Sequence, residues 1–190
     1  GEGGEEGEGG GGGIYSRPPG QPTFTNCTFR GNTTDQSGGG VYGTGTFVNC
    51  MFIGNAAEYG GGMVGGSAFV NCKFLGNSAR WGGGLVAGAT LVNCLFSGNT
   101  AGWGGAVYSY LSSPRFTNCT FSGNTAELGG GFFSDESGEQ LANCILWGNA
   151  DGSGMGESAQ FQQGVNSRPT ISYSSVQGWT GALGGVGNIG

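Results

Sequence analysis

The sequence predicts an all-β fold, a right-handed parallel β-helix (a solenoid) of about seven coils with 22–25 residues each. Three repeated signals support this prediction. The pair Asn-Cys recurs at steps of 23, 22, 22, 25 and 25 residues, each Cys is followed five residues later by the Asn of a Gly-Asn pair, and a glycine-rich triplet then precedes an apolar residue. Self-similarity at such a period is typical of solenoids, in which each unit buries its apolar side only against its neighbours.

The Asn-Cys signal places the cysteines at equivalent positions in successive coils. They are Cys27, Cys50, Cys72, Cys94, Cys119 and Cys144. Free Cys is usually buried, so we expect an inward column. The alternative is three disulfides between neighbouring coils, which an even count in a secreted protein favours. Against it, parallel side chains keep Cβ atoms about 4.8 Å apart, beyond the mean of about 3.8 Å for a disulfide. A straight column does not converge as tetrahedral zinc ligands must, so no metal site is expected.

The Gly-Asn signal predicts a turn with a second ladder. Its members are Asn32, Asn55, Asn77, Asn99, Asn124 and Asn149. Asn tolerates left-handed backbone, and we expect it to use that conformation here. Stacked Asn side chains also form hydrogen bonds from one layer to the next. Both properties favour a structural role.

The glycine triplet predicts a tight corner in each coil. It stands before Ile14, Val41, Met63, Leu85, Val107 and Phe132. Glycine allows positive φ and close approach of backbones, which a corner between stacked coils requires. The short apolar runs between these turns have the length of strands, and parallel coils then lie about 4.8 Å apart.

An aromatic column precedes three successive triplets, at Tyr59, Trp81 and Trp103. One interpretation is that the rings stack and stiffen the edge of the coils. The other is a binding platform for sugar rings or for a neighbouring subunit, because exposed apolar patches often mark interfaces.

The two longer motifs of the repeat are FxxN and a GGA[ILV]-like triplet. The first fits Phe29–Asn32, Phe52–Asn55, Phe74–Asn77, Phe96–Asn99 and Phe121–Asn124. The second is matched letter for letter at Gly104–Val107, while the other coils carry Gly in place of Ala. Over residues 11–150 the chain resembles the repeat of chlamydial polymorphic outer membrane proteins and related bacterial β-helix proteins. The resemblance implies a right-handed β-helix at a cell surface or in secreted form.

The chain divides into two parts. Residues 1–10 read as a Gly/Glu-rich leader or linker, and residues 11–190 as one β-helix domain whose last coil diverges from about residue 150. In that coil Ser174 replaces the motif cysteine. Insertions fall on one arc, at residues 17–20, 111–114 and 135–138. The acids Asp135, Glu136 and Glu139 are expected to keep the last of these loops soluble.

Composition excludes several functions. Charged residues make up 9% of the chain and the net charge is −6, so no basic stripe exists to bind nucleic acid. No apolar run reaches the roughly 18 residues of a membrane span. The chain has no His. Asp35, Glu58, Arg80 and Glu127 lie near one arc but form no catalytic pair, so we expect no enzyme, no catalytic residue and no cofactor.

These observations predict an extracellular or cell-surface structural protein that self-associates into a homopolymer by end-to-end or lateral contacts. The ends of a solenoid present unpaired strand edges, and no capping segment is evident in the sequence. One alternative is an adhesin or carbohydrate-binding passenger domain that contacts glycans or a host or neighbouring cell surface through the aromatic column. The other is a polysaccharide lyase or hydrolase.

Overall fold

The computed structural model describes residues 11–16, 20–66, 68–86 and 88–190, and these form a parallel β-solenoid. The predicted leader (residues 1–10) and most of the first predicted insertion (residues 17–19) lie outside the described residues. The all-β parallel solenoid is confirmed. Its right-handedness and the count of about seven coils stay predictions.

Each complete coil contributes one strand to each of four sheets, which we name faces A, B, C and D in chain order. Face A contains β1 (Ile14–Ser16), β4 (Val41–Gly43), β8 (Met63–Val64), β12 (Leu85–Val86), β16 (Val107–Tyr110), β20 (Phe132–Asp135) and β23 (Phe161–Gln163). Face B contains β2 (Thr23–Thr25), β5 (Thr46–Val48), β9 (Ala68–Val70), β13 (Thr90–Val92), β17 (Arg115–Thr117), β21 (Gln140–Ala142) and β24 (Thr170–Ser172).

The remaining strands belong to faces C and D. Face C contains β3 (Thr28–Arg30), β6 (Met51–Ile53), β10 (Lys73–Leu75), β14 (Leu95–Ser97), β18 (Thr120–Ser122), β22 (Ile145–Trp147) and β25 (Ser175–Val176). Face D contains β7 (Ala56–Tyr59), β11 (Ser78–Trp81), β15 (Thr100–Trp103) and β19 (Thr125–Leu128). A short helix, α1 (Glu157–Gln160), precedes β23.

The core consists of identical or similar side chains stacked in register. On face C, Phe74 pairs with Phe52 below it and Phe96 above it. The ring centroids of Phe52 and Phe74 lie 4.6 Å apart, and those of Phe74 and Phe96 lie 4.4 Å apart. On faces B and C the middle residue of each three-residue strand points inward, as in Thr46-Phe47-Val48, where Phe47 is fully buried. The repeat spacing therefore turns directly into columns.

The corners differ from the prediction in one respect. The left-handed backbone lies at the Asn of Asn-Cys, between faces B and C, where Asn71 has φ of 55°. It also lies at the Gly of Gly-Asn, between faces C and D, where Gly76 has φ of 59°. The expectation that the Asn of Gly-Asn adopts this conformation is wrong, because the preceding glycine takes it at lower steric cost.

The glycine triplets have both expected properties, a positive φ and a close approach to the backbone of the next coil. Gly82 has φ of 67°, and a Cβ atom on Gly83 would lie 2.4 Å from the carbonyl oxygen of Gly105 in the next coil. The third position is less restricted, since Ala106 occupies it in one coil and is fully buried. The corner between faces D and A thus requires glycine where the backbones of neighbouring coils meet.

The C-terminal end of the solenoid is covered, contrary to expectation. Trp179 and Leu183 pack against the core above the last coil. The backbone N–H of Val176 donates to the carbonyl of Ile189 at 2.8 Å, and the Asn188 side chain donates to the carbonyl of Ile171 at 2.7 Å. The last segment therefore provides hydrogen-bond partners for backbone groups that would be unpaired at a bare strand edge. Among the described residues, no helix has the length and apolar character needed to cross a membrane.

Candidate functional site

The inner asparagine ladder lies inside the solenoid at the start of face D. The Asn77 side-chain amide donates to the carbonyl of Phe52 in the coil below at 2.9 Å, and to Oδ1 of Asn99 in the coil above at 3.0 Å. The backbone N–H of Asn77 donates to the same Oδ1 at 3.0 Å. The Asn77 side chain therefore links three coils. The ladder comprises Asn32, Asn55, Asn77, Asn99, Asn124 and Asn149.

Gln160 ends this ladder, and sequence reasoning did not identify it. The Asn149 side chain donates to Gln160 Oε1 at 2.8 Å, and Gln160 Nε2 donates back to the Asn149 carbonyl at 3.0 Å. Gln160 is fully buried at the end of α1. No Gly-Asn pair marks this position, so the repeat pattern carries no signal for it.

A second, outer asparagine ladder runs along the corner between faces B and C. The Asn71 side chain donates to Asn49 Oδ1 at 3.2 Å, and the Asn93 side chain donates to Asn71 Oδ1 at 3.3 Å. These amides are solvent-exposed. The Asn-Cys pair did reveal the position, but not this ladder.

The cysteine column lies beside the outer ladder and points inward. All six cysteines are free thiols, so the structure has the reduced ladder and not the disulfides. Five are at most 2% exposed, while Cys27, the first of the column, is only partly buried. The Cys72 sulfur lies 3.4 Å from the carbonyl oxygens of both Val70 and Phe47, and either can accept its one proton. Burial raises the pKa of the Cys50 thiol, which opposes formation of a reactive thiolate there.

The aromatic column on face D is a continuous stack. The rings of Tyr59 and Trp81 lie 4.5 Å apart and those of Trp81 and Trp103 lie 5.5 Å apart, with interplanar angles of 10° and 13°. The Arg80 guanidinium lies 4.2 Å from the Trp81 ring centroid and pairs with Glu58 at 3.3 Å. Because the rings cover one another's faces, the column mainly offers ring edges to solvent.

Glu139 is a buried acid that sequence reasoning misplaced. It was expected to keep a loop soluble, but it is 0% exposed and points into the interior. Ser134 Oγ donates to Glu139 Oε2 at 2.7 Å, while Glu139 Oε1 and Ser109 Oγ have no partner among the described residues. Burial raises the pKa of this carboxyl. The insertion has brought Glu139 to the inward position that Ala89 occupies two coils earlier.

The described residues hold no group of three His, Cys, Asp or Glu side chains that could bind a metal ion. The sequence-predicted residues thus form three separate columns: buried amides, buried thiols and half-exposed aromatic rings.

The inner ladder generates a stability prediction. Replacing Asn77 by Ala should lower the free energy of unfolding by about 3 kcal/mol, because buried donors and acceptors in two neighbouring coils lose their partner. Urea denaturation measures this. The matched control is Asn71→Gly on the outer ladder, which removes an exposed amide but keeps the left-handed corner, and should cost about 1 kcal/mol or less. Equal losses at the two sites would contradict the assigned roles.

The cysteine column generates a labelling prediction. In the native protein a maleimide reagent should modify Cys27 first, and the other five thiols only after unfolding, because burial excludes the reagent from them. Intact-mass measurement counts the labels. Cys27→Ser should remove the early label. The prediction is wrong if several labels appear together under native conditions. It is also wrong if the mass of the unlabelled protein shows that the cysteines form disulfides.

Glu139 generates a pH prediction. Its pKa is raised on folding, so the folded state holds this proton more tightly than the unfolded state does. The contribution to stability is complete below the ordinary carboxyl pKa and is lost as pH rises through the raised value. Glu139→Gln should therefore make the chain more stable than wild type at pH 8, with little gain at pH 4. Thermal melts of wild type and variant at pH 4 and pH 8 test this, with Glu136→Gln at an exposed position as the control. A variant that loses stability at pH 8 would contradict it.

Comparison with known proteins agrees with this architecture. Residues 26–44, 93–110 and 118–135 match the Chlamydia polymorphic membrane protein repeat. No curated protein and no solved structure matches the chain. The matched segments run from the Asn-Cys corner through the FxxN motif and the glycine triplet, so they contain both ladders and the tight corner. This repeat family suggests an outer-membrane or surface-associated protein. The chain is thus a parallel β-solenoid whose repeats are similar to those of the Chlamydia polymorphic membrane proteins.

Proposed function

We propose that the chain is a non-enzymatic structural element of a cell surface, a stiff β-solenoid that associates with further copies of itself side by side. The observation that carries the proposal is the continuous internal laddering. Buried amides, thiols and phenyl rings each form a column along the coils, so the central coils are tied to both neighbours by the same contacts. A rod of this kind suits the spacing or scaffolding of a surface layer.

Lateral association is better supported than growth through both ends. The C-terminal segment supplies partners to the last coil, as the bond from the Val176 N–H to the Ile189 carbonyl illustrates. Strand addition at that end would have to displace Trp179 and Leu183 from the core. The sides, by contrast, present outward rows of half-buried aliphatic residues such as Val48, Val70 and Val92 on face B.

The carbohydrate-binding alternative has less support. Sugar rings bind aromatic side chains through the ring face, and in the column of Tyr59, Trp81 and Trp103 those faces stack on each other. The lyase or hydrolase alternative has less support as well. Glu58 on face D is held by Arg80, and buried Glu139 has a serine hydroxyl as its close partner. We therefore propose that neither Glu58 nor Glu139 performs catalysis.

The proposal predicts concentration-dependent assembly. Sedimentation velocity on the purified chain should show the average mass rising with concentration, and negative-stain images should show rods lying alongside one another, because the flat sides carry the apolar rows. Val165→Ser serves as the control, since Val165 is exposed in a turn away from the faces, and it should assemble as wild type does. A chain that stays monomeric at the highest concentration would overturn the proposal.

A further inference from the structure

We propose that face C of one copy binds face D of a second copy, so that the basic, aliphatic side of one solenoid lies against the acidic side of the next. This inference rests on the proposed self-association and names its surfaces.

Face C is basic and apolar. Its strands carry Arg30 and Lys73, both exposed, and no acidic residue. Among the described residues neither of these two side chains has an ion-pair partner. The outward positions beside them hold half-buried Met51, Ile53 and Leu75, and Trp147 near the far end of the face is 47% exposed. Apolar rows with unpaired basic groups favour an acidic, flat partner.

Face D is acidic. Glu58 and Glu127 lie on its strands, and Asp35 and Asp151 adjoin the bridges that extend it at its two ends. The basic residue of its strands, Arg80, is already paired with Glu58. With four acids and one arginine, face D carries three net negative charges, and this net charge is opposite in sign to that of face C. The aromatic column lies on the same face, with Tyr59 exposed and Trp81 and Trp103 half-buried.

The period of the coils identifies the partner as a second copy. Outward side chains on both faces repeat at the strand spacing, which is about 4.8 Å. Rows of one solenoid can interdigitate with rows of another over several coils only where both have the same spacing, as paired sheets do in stacked β-structures. A globular partner would match one or two rows and then lose register. A second copy keeps register along the whole side.

The geometry of this contact leads to an extended assembly. Faces C and D are different, neighbouring sides of the same coil, so the contact is heterologous. A copy that uses face C to bind one neighbour still has face D free for another. Contacts of this kind repeat without closing unless the rotation between copies happens to close a ring. Side-by-side ribbons or filaments are the expected product.

The test reverses the charge of each face separately. Arg30→Glu with Lys73→Glu makes face C acidic, and Glu58→Lys with Glu127→Lys makes face D basic. In either double variant two faces of like charge meet, and the concentration needed for half-assembly should rise about ten-fold or more. Mixing the two variants in equal amounts should restore assembly, because every C–D contact between unlike copies again joins opposite charges. Circular dichroism and melting curves verify that both variants are folded.

Controls separate this inference from the proposed function. Glu136→Lys and Arg168→Glu change net charge at exposed positions outside faces C and D, and both should assemble as wild type does. Wild-type assembly should also weaken as NaCl rises from about 50 mM to about 500 mM, because surface charges are screened.

The pairing of faces is wrong, while self-association stands, if wild type assembles but the double variants assemble equally well. The same holds if wild type assembles but the mixture of the two variants does not regain assembly. If wild type itself stays monomeric, both fail.

Discussion

The structure depends on one constraint, that each coil lies directly over the previous one at the spacing of parallel strands. A three-residue strand buries only its middle side chain, so a coil alone has almost no core. Stability comes from columns, in which Phe74 contacts Phe52 and Phe96 and Asn77 joins the same three coils through its amide. Close stacking then excludes side chains where backbones meet, which explains glycine at Gly83.

Because the constraint repeats, the sequence predicts the repeating part of the fold well. The spacing of Asn-Cys, Gly-Asn and the triplets was enough to predict a parallel solenoid and the positions that recur from coil to coil, but not the four strands of each complete coil. It did not separate the two asparagines of a coil. Asn71 takes the left-handed corner and Asn77 the buried ladder, and both are asparagines in turn sequences, so only the path of the chain distinguishes them.

The features that the sequence did not predict lie where the repeat is interrupted. Gln160 ends the amide ladder from a short helix, Glu139 enters the core from an inserted loop, and the final segment covers the last coil with Trp179. Each of these depends on a contact made once, without an equivalent in another coil. Periodicity carries no information about such contacts, and residue type misleads, since a loop glutamate is ordinarily exposed.

The same stacking also determines what the surface can recognise. In the aromatic column, stacking of Trp81 between Tyr59 and Trp103 stiffens face D but uses the ring faces that a ligand would need. What remains outside is a set of rows at fixed spacing, with charge distributed unequally between faces C and D. A surface made of such rows distinguishes between partners by the spacing of their side chains and by the sign of their charge, more than by the shape of a pocket. We propose that the partner that meets both conditions over its full length is another solenoid of the same kind.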